Sequence, residues 1–384
     1  MLSGDFTLVG HPFAPIGMGE HVRSSWRAFA AMGVRPAICD VYGMSERDDP
    51  DFERAFGPVA TREISQRLNI FHINGDEVTN SLAHMRAASA FEQAYNVIYP
   101  AWELSQYPRE WAQLLDQFDE IWAPSAFIRD SIAGSARKPV FHMPLAVDVR
   151  MSSFMTRRML NLPESAFIYL FFFDFSSYWQ RKNPFAVLEA FEALAQRHPK
   201  APLHLVLKHK GGKGTSDVVE RLRAAIARRP GQIQIIDRTM RDNEVKNLVR
   251  ASDCFISLHR SEGFGRGLAE AMALGVPALG TGYSGNLDFM NAENSWLVDY
   301  DLVPVGKNEY PHGAGQHWAD PKLATAVAMM EQIWLDHATA RKKADKARRD
   351  LACHFSPRAI GLRYIERLEQ VEPPQPARRE AAAP

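Results

Sequence analysis

Residues 252–291, which read SDCFISLHRSEGFGRGLAEAMALGVPALGTGYSGNLDFMN, decide the fold. Their first apolar run, residues 254–258, predicts a buried strand that ends in polar residues. Residues 268–274 favour a helix, Gly275 ends that helix, and residues 276–279 predict the next buried strand. This order of strand, loop, helix and strand is typical of a parallel sheet, and open sheets of that kind bind ligands at the carboxyl ends of their strands.

The loop inside this stretch contains glycines at alternate positions, Gly263, Gly265 and Gly267. Because glycine has no Cβ, a ligand can approach the backbone of this loop closely. The start of the following helix offers backbone N–H groups and a partial positive charge, which together favour a phosphate. The loop therefore predicts a site that holds phosphate largely through the backbone.

Two glutamates bracket the glycine loop, Glu262 and Glu270, with seven residues between them. Carboxylates accept hydrogen bonds from sugar hydroxyls, whereas a diphosphate repels them. The stretch therefore suits a ligand with hydroxyls at both ends and phosphate in the middle, which describes a nucleoside diphosphate sugar. The alternative is an ordinary strand–helix–strand unit in which Glu270 is a solvated helix residue.

This pattern of two glutamates, with Gly-Phe-Gly after the first, resembles the signature of retaining glycosyltransferases of the GT-B fold, the large family often called family four. The resemblance implies that Glu262 contacts the donor sugar and that Glu270 contacts the donor ribose. It also implies that the backbone of Phe264 and Gly265 lies near the donor sugar or phosphate. Weaker similarity to this family extends over most of the chain.

A length of 384 residues suits two domains. Strand and helix patterns alternate through both halves, so the predicted fold class is α/β. The resemblance implies the GT-B arrangement, in which two Rossmann-like doubly wound domains face a central cleft. We predict an acceptor domain over residues 1–150, a donor-binding domain over 151–355, and a C-terminal helix over 356–371 that crosses back to the first domain. Residues 372–384 have the composition of a disordered tail.

Composition argues against several classes of function. The chain has 46% hydrophobic and 23% charged residues, as soluble globular proteins do. Its formal net charge is zero, so no global field favours nucleic acid. The N-terminus shows no signal-peptide pattern, and the most apolar run is too short to span a bilayer. Cys39, Cys254 and Cys353 are scattered, so we expect free thiols and a reducing cytoplasm.

The first predicted strand, residues 6–9, leads into a loop that contains Gly17 and Gly19, ahead of a helix over residues 22–32. The loop lacks a third glycine at the spacing of a dinucleotide fingerprint. In the resembled family the equivalent loop approaches the acceptor and the donor phosphates. Gly17 and Gly19 are therefore either ligand contacts or residues of a plain turn, and the sequence favours neither alternative.

Two further strands of the first half end in polar residues. Residues 69–73 lead to Asn74 and Asp76, and residues 95–99 lead to Glu103. Parallel strands place such ends at the ligand-binding edge of a sheet. Glu103 is the best candidate there for a carboxylate near the reacting centre, although it also fits a plain acid ahead of a helix. The family often has a histidine or an acidic residue near this place, and the sequence has no obvious matching histidine.

Arg181 and Lys182 stand before a predicted helix over residues 185–195, at another strand-to-helix crossing. Two cations there can neutralise a diphosphate. The resemblance implies that Lys182 contacts donor phosphate, because the family has a lysine at this place. The family's arginine lies further upstream, where residues 175–177 stand here, so Arg181 is a substitute at most. The alternative is a solvated pair of loop residues.

Two more cations follow neighbouring strands of the second half. Lys208 comes directly after the predicted strand of residues 204–207, so we expect it at the ligand-binding edge. Arg238 follows the predicted strand of residues 232–236, where members of the resembled family place the nucleotide base. Both are candidates for donor binding.

No cluster of histidines or carboxylates has the spacing of metal ligands. Asp299 and Asp301 match the short Asp-x-Asp pattern of another glycosyltransferase fold. The pattern is common by chance and here follows the donor motif, so we predict a loop. We expect no required metal and no cofactor, with the nucleoside diphosphate sugar as co-substrate, because cations and helix ends serve its phosphates.

The sequence therefore predicts a retaining glycosyltransferase that moves a hexosyl group from a nucleoside diphosphate sugar to an acceptor hydroxyl, in polysaccharide, glycolipid or glycoside synthesis. Glu262, Lys182 and Glu103 are its catalytic candidates. The alternatives are an epimerase or a phosphorylase of the same fold, and a catalytically silent subunit that binds nucleotide sugars.

The expected partners are the donor and a sugar, lipid-linked or small-molecule acceptor, without nucleic acid. We expect a cytoplasmic protein. A basic helix over residues 337–349 leaves peripheral contact with the inner membrane face open, but its apolar face is thin and favours a solvated helix. The sequence does not indicate an oligomeric state.

Overall fold

The computed structural model describes residues 5–43, 49–85, 88–211 and 216–371. The chain divides into two compact units. The first comprises Met1–Trp102, Gln106–Ala146 and Phe355–Pro384, and the second comprises Glu103–Ser105 and Val147–His354. The tail predicted over residues 372–384 lies outside the described residues.

The first unit alternates strands and helices along the chain. Its elements are β1 (Thr7–Gly10), α1 (Gly17–Ala31), β2 (Ala37–Asp40), α2 (Pro50–Phe56), β3 (Ala60–Thr61), β4 (Leu68–Phe71), α3 (Val78–Met85), α4 (Ala88–Gln93), β5 (Tyr95–Ile98), α5 (Arg109–Leu115), β6 (Glu120–Ala123), α6 (Ala126–Ala133) and β7 (Val140–His142). The strands pair in parallel in the order β3-β2-β1-β4-β5-β6-β7. The order reverses between β1 and β4, which makes their carboxyl ends the switch point of this sheet.

The second unit repeats this architecture. Its elements are β8 (Phe167–Asp174), α7 (Trp179–Lys182), α8 (Pro184–Arg197), β9 (Leu203–Lys210), α9 (Ser216–Ala227), β10 (Ile233–Asp237), α10 (Asp242–Ala251), β11 (Cys254–Ser257), α11 (Arg266–Ala273), β12 (Ala278–Thr281), β13 (Trp296–Val298), β14 (Tyr300–Pro304), β15 (His317–Pro321), α12 (Leu323–Leu335) and α13 (His337–His354). Parallel strands form a sheet in the order β10-β9-β8-β11-β12-β13, with its switch point between β8 and β11. The predicted α/β class, with two Rossmann-like units, is confirmed.

The centre of the second sheet is β8, which pairs with β9 along its whole length. Its residues alternate between the two faces of the sheet, and both faces are covered by helices, so an apolar run is stable there. Phe171 and Phe173 stack at 5.6 Å on one face, and Phe172 meets Phe255 of β11 at 5.0 Å. The strand is therefore a rigid base for the loop that leaves its carboxyl end.

The position of Gly17 and Gly19 differs from the prediction. Both lie in the first turn of α1 rather than in a loop ahead of it. A Cβ at Gly19 would stand 2.2 Å from the carbonyl oxygen of Ala14, whereas a Cβ at Gly17 would meet nothing within 4 Å. Gly19 is therefore required by the close packing of the preceding turn on the helix, a reason that the sequence pattern does not reveal.

The loop prediction is wrong for Asp301, which lies in β14, whereas Asp299 lies in the connection between β13 and β14 as predicted. Residues of β14 pair with β15 as an antiparallel hairpin, with Tyr300 opposite Pro321. Asp301 forms an ion pair with Lys322, at 3.2 Å between carboxylate and ammonium. The paired backbone gives this segment its order, and its short alternating pattern was too weak to predict a strand.

Among the residues that the structure describes, every helix is too short or too polar to cross a bilayer. The basic helix α13 runs on to His354 and buries a stripe that includes Ala340, Ala344, Ala347 and Leu351. Its Lys346 pairs with Asp350 at 3.2 Å, and its Lys343 donates to the carbonyl of Ser295 at 3.0 Å and lies over the ring of Trp296. The three cysteines carry free thiols, with Cys39 and Cys254 buried and Cys353 exposed.

The last helix, α14 (Pro357–Glu369), belongs to the first unit. Ser356 caps it by accepting a hydrogen bond from the backbone N–H of Ala359. It packs against α1, and Gly361 permits the close approach, because a Cβ there would lie 2.2 Å from the carbonyl oxygen of Ala28. The hydroxyl of the buried Tyr364 donates to the carbonyl of Pro144 at 2.9 Å.

We predict that Gly361→Ala lowers the free energy of unfolding by about 1–3 kcal/mol, because the methyl group forces α14 away from the backbone of α1. Urea unfolding followed by circular dichroism measures the change. The matched control is Gly134→Ala in the same unit, since a Cβ there meets only ordinary contacts at 3.8 Å or more. Equal stability of the two variants would contradict this packing.

Candidate active site

The switch point of the second sheet brings two loops together. The strands β8 and β11 are neighbours in the sheet. The chain leaving β8 passes through a 3-10 turn, Phe175–Ser177, into the short helix α7, while the chain leaving β11 forms the glycine turn ahead of α11. Asn183, at the end of α7, donates its side-chain amide to the carbonyl of Leu258 at 3.0 Å and ties the two loops together. Ligands bind open α/β sheets at such points.

An ion cluster occupies this place. The ammonium of Lys182 donates to Glu262 Oε1 at 2.6 Å, and Arg181 Nη1 lies 3.3 Å from Glu262 Oε2. Each oxygen of the carboxylate therefore has its own cation. The exposed fractions of these side chains are 12% for Glu262, 19% for Lys182 and 4% for Arg181. The structure thus joins three residues that the sequence predicted for one donor site.

The charge on Glu262 depends on its two neighbours. Burial opposes ionisation, but the charges of Lys182 and Arg181 outweigh it and lower the pKa of Glu262 from 4.5 to about 2. The carboxylate is therefore ionised at neutral pH and can only accept hydrogen bonds. Burial lowers the pKa of Lys182, and the charge of Glu262 opposes that shift.

Arg181 is buried and has several hydrogen-bond partners, so it is not the solvated loop residue of the alternative prediction. Its Nη1 donates to the carbonyl of Ser261 at 2.9 Å, and its Nη2 donates to the carbonyl of Ser177 at 3.2 Å. The same Nη2 lies 3.4 Å from Oε1 of Glu103. Burial acts against the charge, but Glu103 and Glu262 raise the pKa of Arg181 above its ordinary value. The guanidinium thus links two carboxylates from distant parts of the sequence.

Glu103 belongs to the second unit. Its Oε2 accepts a hydrogen bond from the hydroxyl of Tyr310, which lies in the connection between β14 and β15. Burial, and then the charge of Glu103, raise the pKa of Tyr310 well above its usual value, so the phenol keeps its proton. No local sequence pattern indicates Tyr310, because its place in the site depends on a hairpin that the pattern did not predict.

The glycine turn is shaped by backbone contacts. Gly265 has a φ of +89°, in the left-handed region, and is the N-cap of α11. A Cβ at Gly285 would stand 2.0 Å from the carbonyl oxygen of Gly263, so the two loops touch at glycines. The N–H of Gly285 donates to the carbonyl of Glu262 at 2.9 Å, and the hydroxyl of Ser284 accepts from the N–H of Glu262 at 2.8 Å.

The remaining residues of the glutamate motif lie on or beside α11. Glu270 is 9% exposed, and its Oε1 is 3.7 Å from Nη1 of Arg266. The Phe264 side chain is buried against Phe289, at 5.2 Å between ring centroids, so its backbone is the part available to a ligand. Gly267 packs on aromatic rings, because a Cβ there would lie 2.9 Å from Phe255.

Lys208 and Arg238 interact with acidic residues outside the Lys182–Glu262 pair. Lys208 lies inside β9, which runs on to Lys210, rather than after the strand as predicted, and is 9% exposed. Burial lowers its pKa, and Asp174 opposes the shift. Arg238 follows β10 on the surface, where its Nη2 donates to Glu244 at 2.8 Å.

The first unit has its own switch point, between β1 and β4. His11, which follows β1, lies 3.0 Å from Glu77, which follows β4. Asn74 accepts a hydrogen bond from the N–H of Ala101 at 3.0 Å, so its side chain supports the loop, and Asp76 is exposed. His11 was not predicted as a site residue, although its position directly after the first strand could have indicated it.

His259 was missed as well. It follows β11, is fully buried, and neither ring nitrogen has a hydrogen-bond partner among the described residues. Burial lowers its pKa from 6.5 to about 4; Glu262 opposes this shift, and Lys182 and Arg181 add to it. The ring is therefore neutral at pH 7. Elsewhere in the described ranges, no group of three or more histidine, cysteine or acidic side chains converges as metal ligands would.

Two parallel sheets of this topology, with a charged glycine loop at the second switch point, define the GT-B class of α/β proteins. Residues 157–301 match the family model described as glycosyl transferases group 1. This segment contains Arg181, Lys182, Glu262 and Glu270. The predicted resemblance to GT-B glycosyltransferases is confirmed, while membership of family four stays a prediction.

Solved structures share the fold over almost the whole chain. The HepE protein of Anabaena, solved in complex with UDP and glucose, gives a TM-score of 0.68 at 13% identity and covers 95% of this chain and 99% of its own. Sucrose-phosphate synthase from Thermosynechococcus elongatus gives 0.65 at 15% identity, with 95% and 98% covered. At these sequence identities, the similarity shows a shared fold alone.

One relative is similar in sequence. Mannosylfructose-phosphate synthase of Agrobacterium fabrum is 29% identical over 104 residues, which are 26% of this chain. The chain spans 22% of the length of that protein.

We predict that His259 makes the free energy of unfolding fall between pH 6.5 and about 4. In that range the unfolded chain binds a proton that the folded chain does not, so stability decreases by about 1.4 kcal/mol per pH unit as the pH falls. The His259→Gln variant should show a flatter slope than the wild-type protein in chemical unfolding at several pH values. His337→Gln, at an exposed position, is the control. Parallel curves for His259→Gln and the wild-type protein would contradict the buried neutral ring.

Proposed function

We propose that the protein is a retaining glycosyltransferase that transfers a hexosyl group from a nucleoside diphosphate sugar to an acceptor hydroxyl. The observation that carries this proposal is the buried Lys182–Glu262 pair, at 2.6 Å, beside the glycine turn at the second switch point. One pair there supplies both a cation for phosphate and a carboxylate for sugar hydroxyls. The glycosyl transferases group 1 match over residues 157–301 supports the same class of reaction.

Donor binding would exchange the partners of Lys182. A diphosphate carries more negative charge than one carboxylate, so it competes with Glu262 for the ammonium. When Lys182 turns to the phosphate, Oε1 of Glu262 is released and can accept a hydrogen bond from a sugar hydroxyl. The two ends of the pair thus recognise the two parts of the donor on either side of the bond that breaks.

The rest of the donor would lie along α11. The start of this helix at Arg266, after the N-cap Gly265, directs backbone N–H groups toward a phosphate and adds the positive end of the helix dipole. Glu270 is our candidate for the ribose hydroxyls, since it sits one turn further along the helix. Lys208 and Arg238 remain candidates for the nucleotide end, because they lie on and after the neighbouring strands β9 and β10.

Catalysis would be mainly electrostatic. Glu262 is ionised at neutral pH, since its pKa is about 2, and so cannot protonate a leaving group. Lys182 and the start of α11 would instead stabilise the charge that develops on the departing diphosphate. Retention would follow if the acceptor attacks the face that the diphosphate leaves, with a phosphate oxygen taking the acceptor proton. No side-chain nucleophile and no metal is then required.

Binding of nucleoside diphosphates gives the sharpest test, because the two ends of the pair should respond in opposite directions. We predict that one of the nucleotides UDP, GDP and ADP binds the protein without metal, and calorimetry measures this binding. Lys182→Gln should weaken its affinity about tenfold or more, the usual contribution of a charge-assisted hydrogen bond. Glu262→Gln should leave that affinity unchanged or raise it, because Lys182 loses its competitor, but should abolish transfer.

The control is Lys200→Ala, which removes an exposed lysine from the same unit. Circular dichroism must show that each variant is folded, since breaking a buried ion pair lowers stability by about 3–5 kcal/mol. A loss of diphosphate affinity in Glu262→Gln as large as in Lys182→Gln would contradict the exchange. Binding without transfer to any acceptor would favour the silent binding subunit.

The stereochemistry and metal requirement form a separate prediction. Product formed from an α-linked donor should keep the α configuration when followed by NMR during the reaction. Excess EDTA should leave the rate within about twofold of the rate without EDTA, because cations of the chain take the place of a metal at the phosphates. An inverted product, or a rate that returns only when magnesium is added after chelation, would overturn this part of the proposal. A dependence on inorganic phosphate would instead indicate a phosphorylase.

A further inference from the structure

Arg181 stands beside Lys182 in the sequence, but its contacts do not suit a phosphate ligand. Both of its terminal nitrogens already have partners: Nη1 donates to Ser261 and Glu262, and Nη2 donates to Ser177 and forms an ion pair with Glu103. The side chain is 4% exposed. A phosphate could bind the guanidinium through two bonds only after displacing a carboxylate and a backbone carbonyl from a buried place.

Both carboxylate oxygens of Glu103 also have partners. One oxygen faces Arg181, and the other accepts from the hydroxyl of Tyr310. The ring of Tyr310 packs on Tyr178, at 4.8 Å between centroids. The backbone carbonyl of Tyr178, at the start of α7, in turn accepts hydrogen bonds from the backbone N–H groups of Arg181 and Lys182. The hairpin β14–β15 therefore reaches the helix that carries both cations.

We infer that Arg181 is a positioning residue, which Glu103 and Tyr310 hold in place, and that it keeps Glu262 oriented and ionised when Lys182 moves to the donor phosphate. We call the chain of contacts Tyr310–Glu103–Arg181 the positioning chain. This inference rests on the proposed function, and it gives Glu103 a positioning role toward Glu262 in place of the catalytic role predicted from the sequence.

The physical reason lies in the charge balance during the exchange. Without donor, Glu262 has two cations; with Lys182 on the phosphate, it keeps Arg181 alone. A buried carboxylate that lost both cations would take up a proton, and a protonated Glu262 would no longer accept from the sugar hydroxyl in the same geometry. Arg181 can stay because Glu103 balances its second side and Tyr310 prevents Glu103 from turning away.

The first test compares Arg181→Lys with the wild-type protein. Lysine keeps the charge but cannot bridge two carboxylates with a rigid fork. The positioning role predicts that kcat falls about tenfold or more, while the dissociation constant of the nucleoside diphosphate changes less than about threefold. A tenfold loss of diphosphate affinity with kcat unchanged would make Arg181 a phosphate ligand and overturn the inference.

The second test measures Tyr310→Phe, Glu103→Gln and the double variant. Each single change should lower kcat in the same direction as Arg181→Lys, and the double variant should resemble Glu103→Gln, because residues in one chain of contacts are not additive. Tyr300→Phe, which removes a hydroxyl from β14 of the same hairpin, is the matched control. Additive losses, or wild-type kcat in both single variants, would overturn the positioning chain.

The pH profile supplies a readout that a merely structural role would not change. The charged or titratable groups facing Glu262 are Lys182, Arg181 and His259. With Arg181→Lys, whose ammonium is not held against Glu262 by a fork to Glu103, the acidic limb of the kcat profile should move to higher pH, because kcat reports the bound complex in which Lys182 has left. An acidic limb at the wild-type position would contradict the inference.

Failure of the inference and failure of the proposed function are separable. If the wild-type protein binds none of the nucleoside diphosphates, the proposed function fails. The positioning chain is then judged by thermal unfolding of the same variants. Losses in Tm that are smaller in the double variant than the sum of the single ones support the Tyr310–Glu103 contact, and additive losses overturn it.

Discussion

The carboxylate of Glu262, buried between two cations, is the interaction on which the rest of the site depends. Burial alone would favour the protonated form, and only the charges of Lys182 and Arg181 bring its pKa down to about 2. Both cations must therefore stand within a few ångströms of one carboxylate. That constraint fixes how the chain leaves β8: Tyr178 and Asn183, at the two ends of α7, both take left-handed backbone conformations, with φ of 59° and 54°. Such strain is retained where the surrounding contacts require it.

The second constraint is the approach of two loops at backbone distance. The turn after β11 and the loop after β12 meet at Gly263 and Gly285, and hydrogen bonds between Glu262 and residues 284–285 hold them together. Fixing the backbone of Glu262 in this way helps to hold its carboxylate in place when, in the proposed exchange, Lys182 moves to the donor phosphate. The strands β8, β9, β11 and β12 supply the rigid base, since they are largely buried. A fixed backbone of this kind suits the exchange of the ion pair that we propose for donor binding.

How much of this could be read from the sequence differs from residue to residue. The strands around Glu262 and the glycine turn follow from local periodicity and from the absence of a Cβ, so the α/β fold and the position of the motif were predictable. The pairing of Lys182 with Glu262 was half predictable, because both lie at strand ends, but nothing local says that the two bind each other. Tyr310 and His259 could not be assigned roles. The first reaches Glu103 through a hairpin of weak pattern, and the second is defined by burial, which depends on tertiary packing.

Arg181 shows most clearly why adjacency in sequence misleads. Successive residues of a helix point about 100° apart, so Arg181 and Lys182, both on α7, reach the two oxygens of Glu262 from different directions. Arg181 turns toward the interior, where it is 4% exposed, and Lys182 turns toward the switch point, where it is 19% exposed. The resembled family separates its arginine and lysine by several residues, whereas this chain has Ser177 near the upstream place. Its backbone carbonyl accepts from Arg181. The upstream position thus contributes a carbonyl that anchors the arginine, and the guanidinium serves the carboxylates of the site, which leaves Lys182 as the cation of α7 that can exchange its partner.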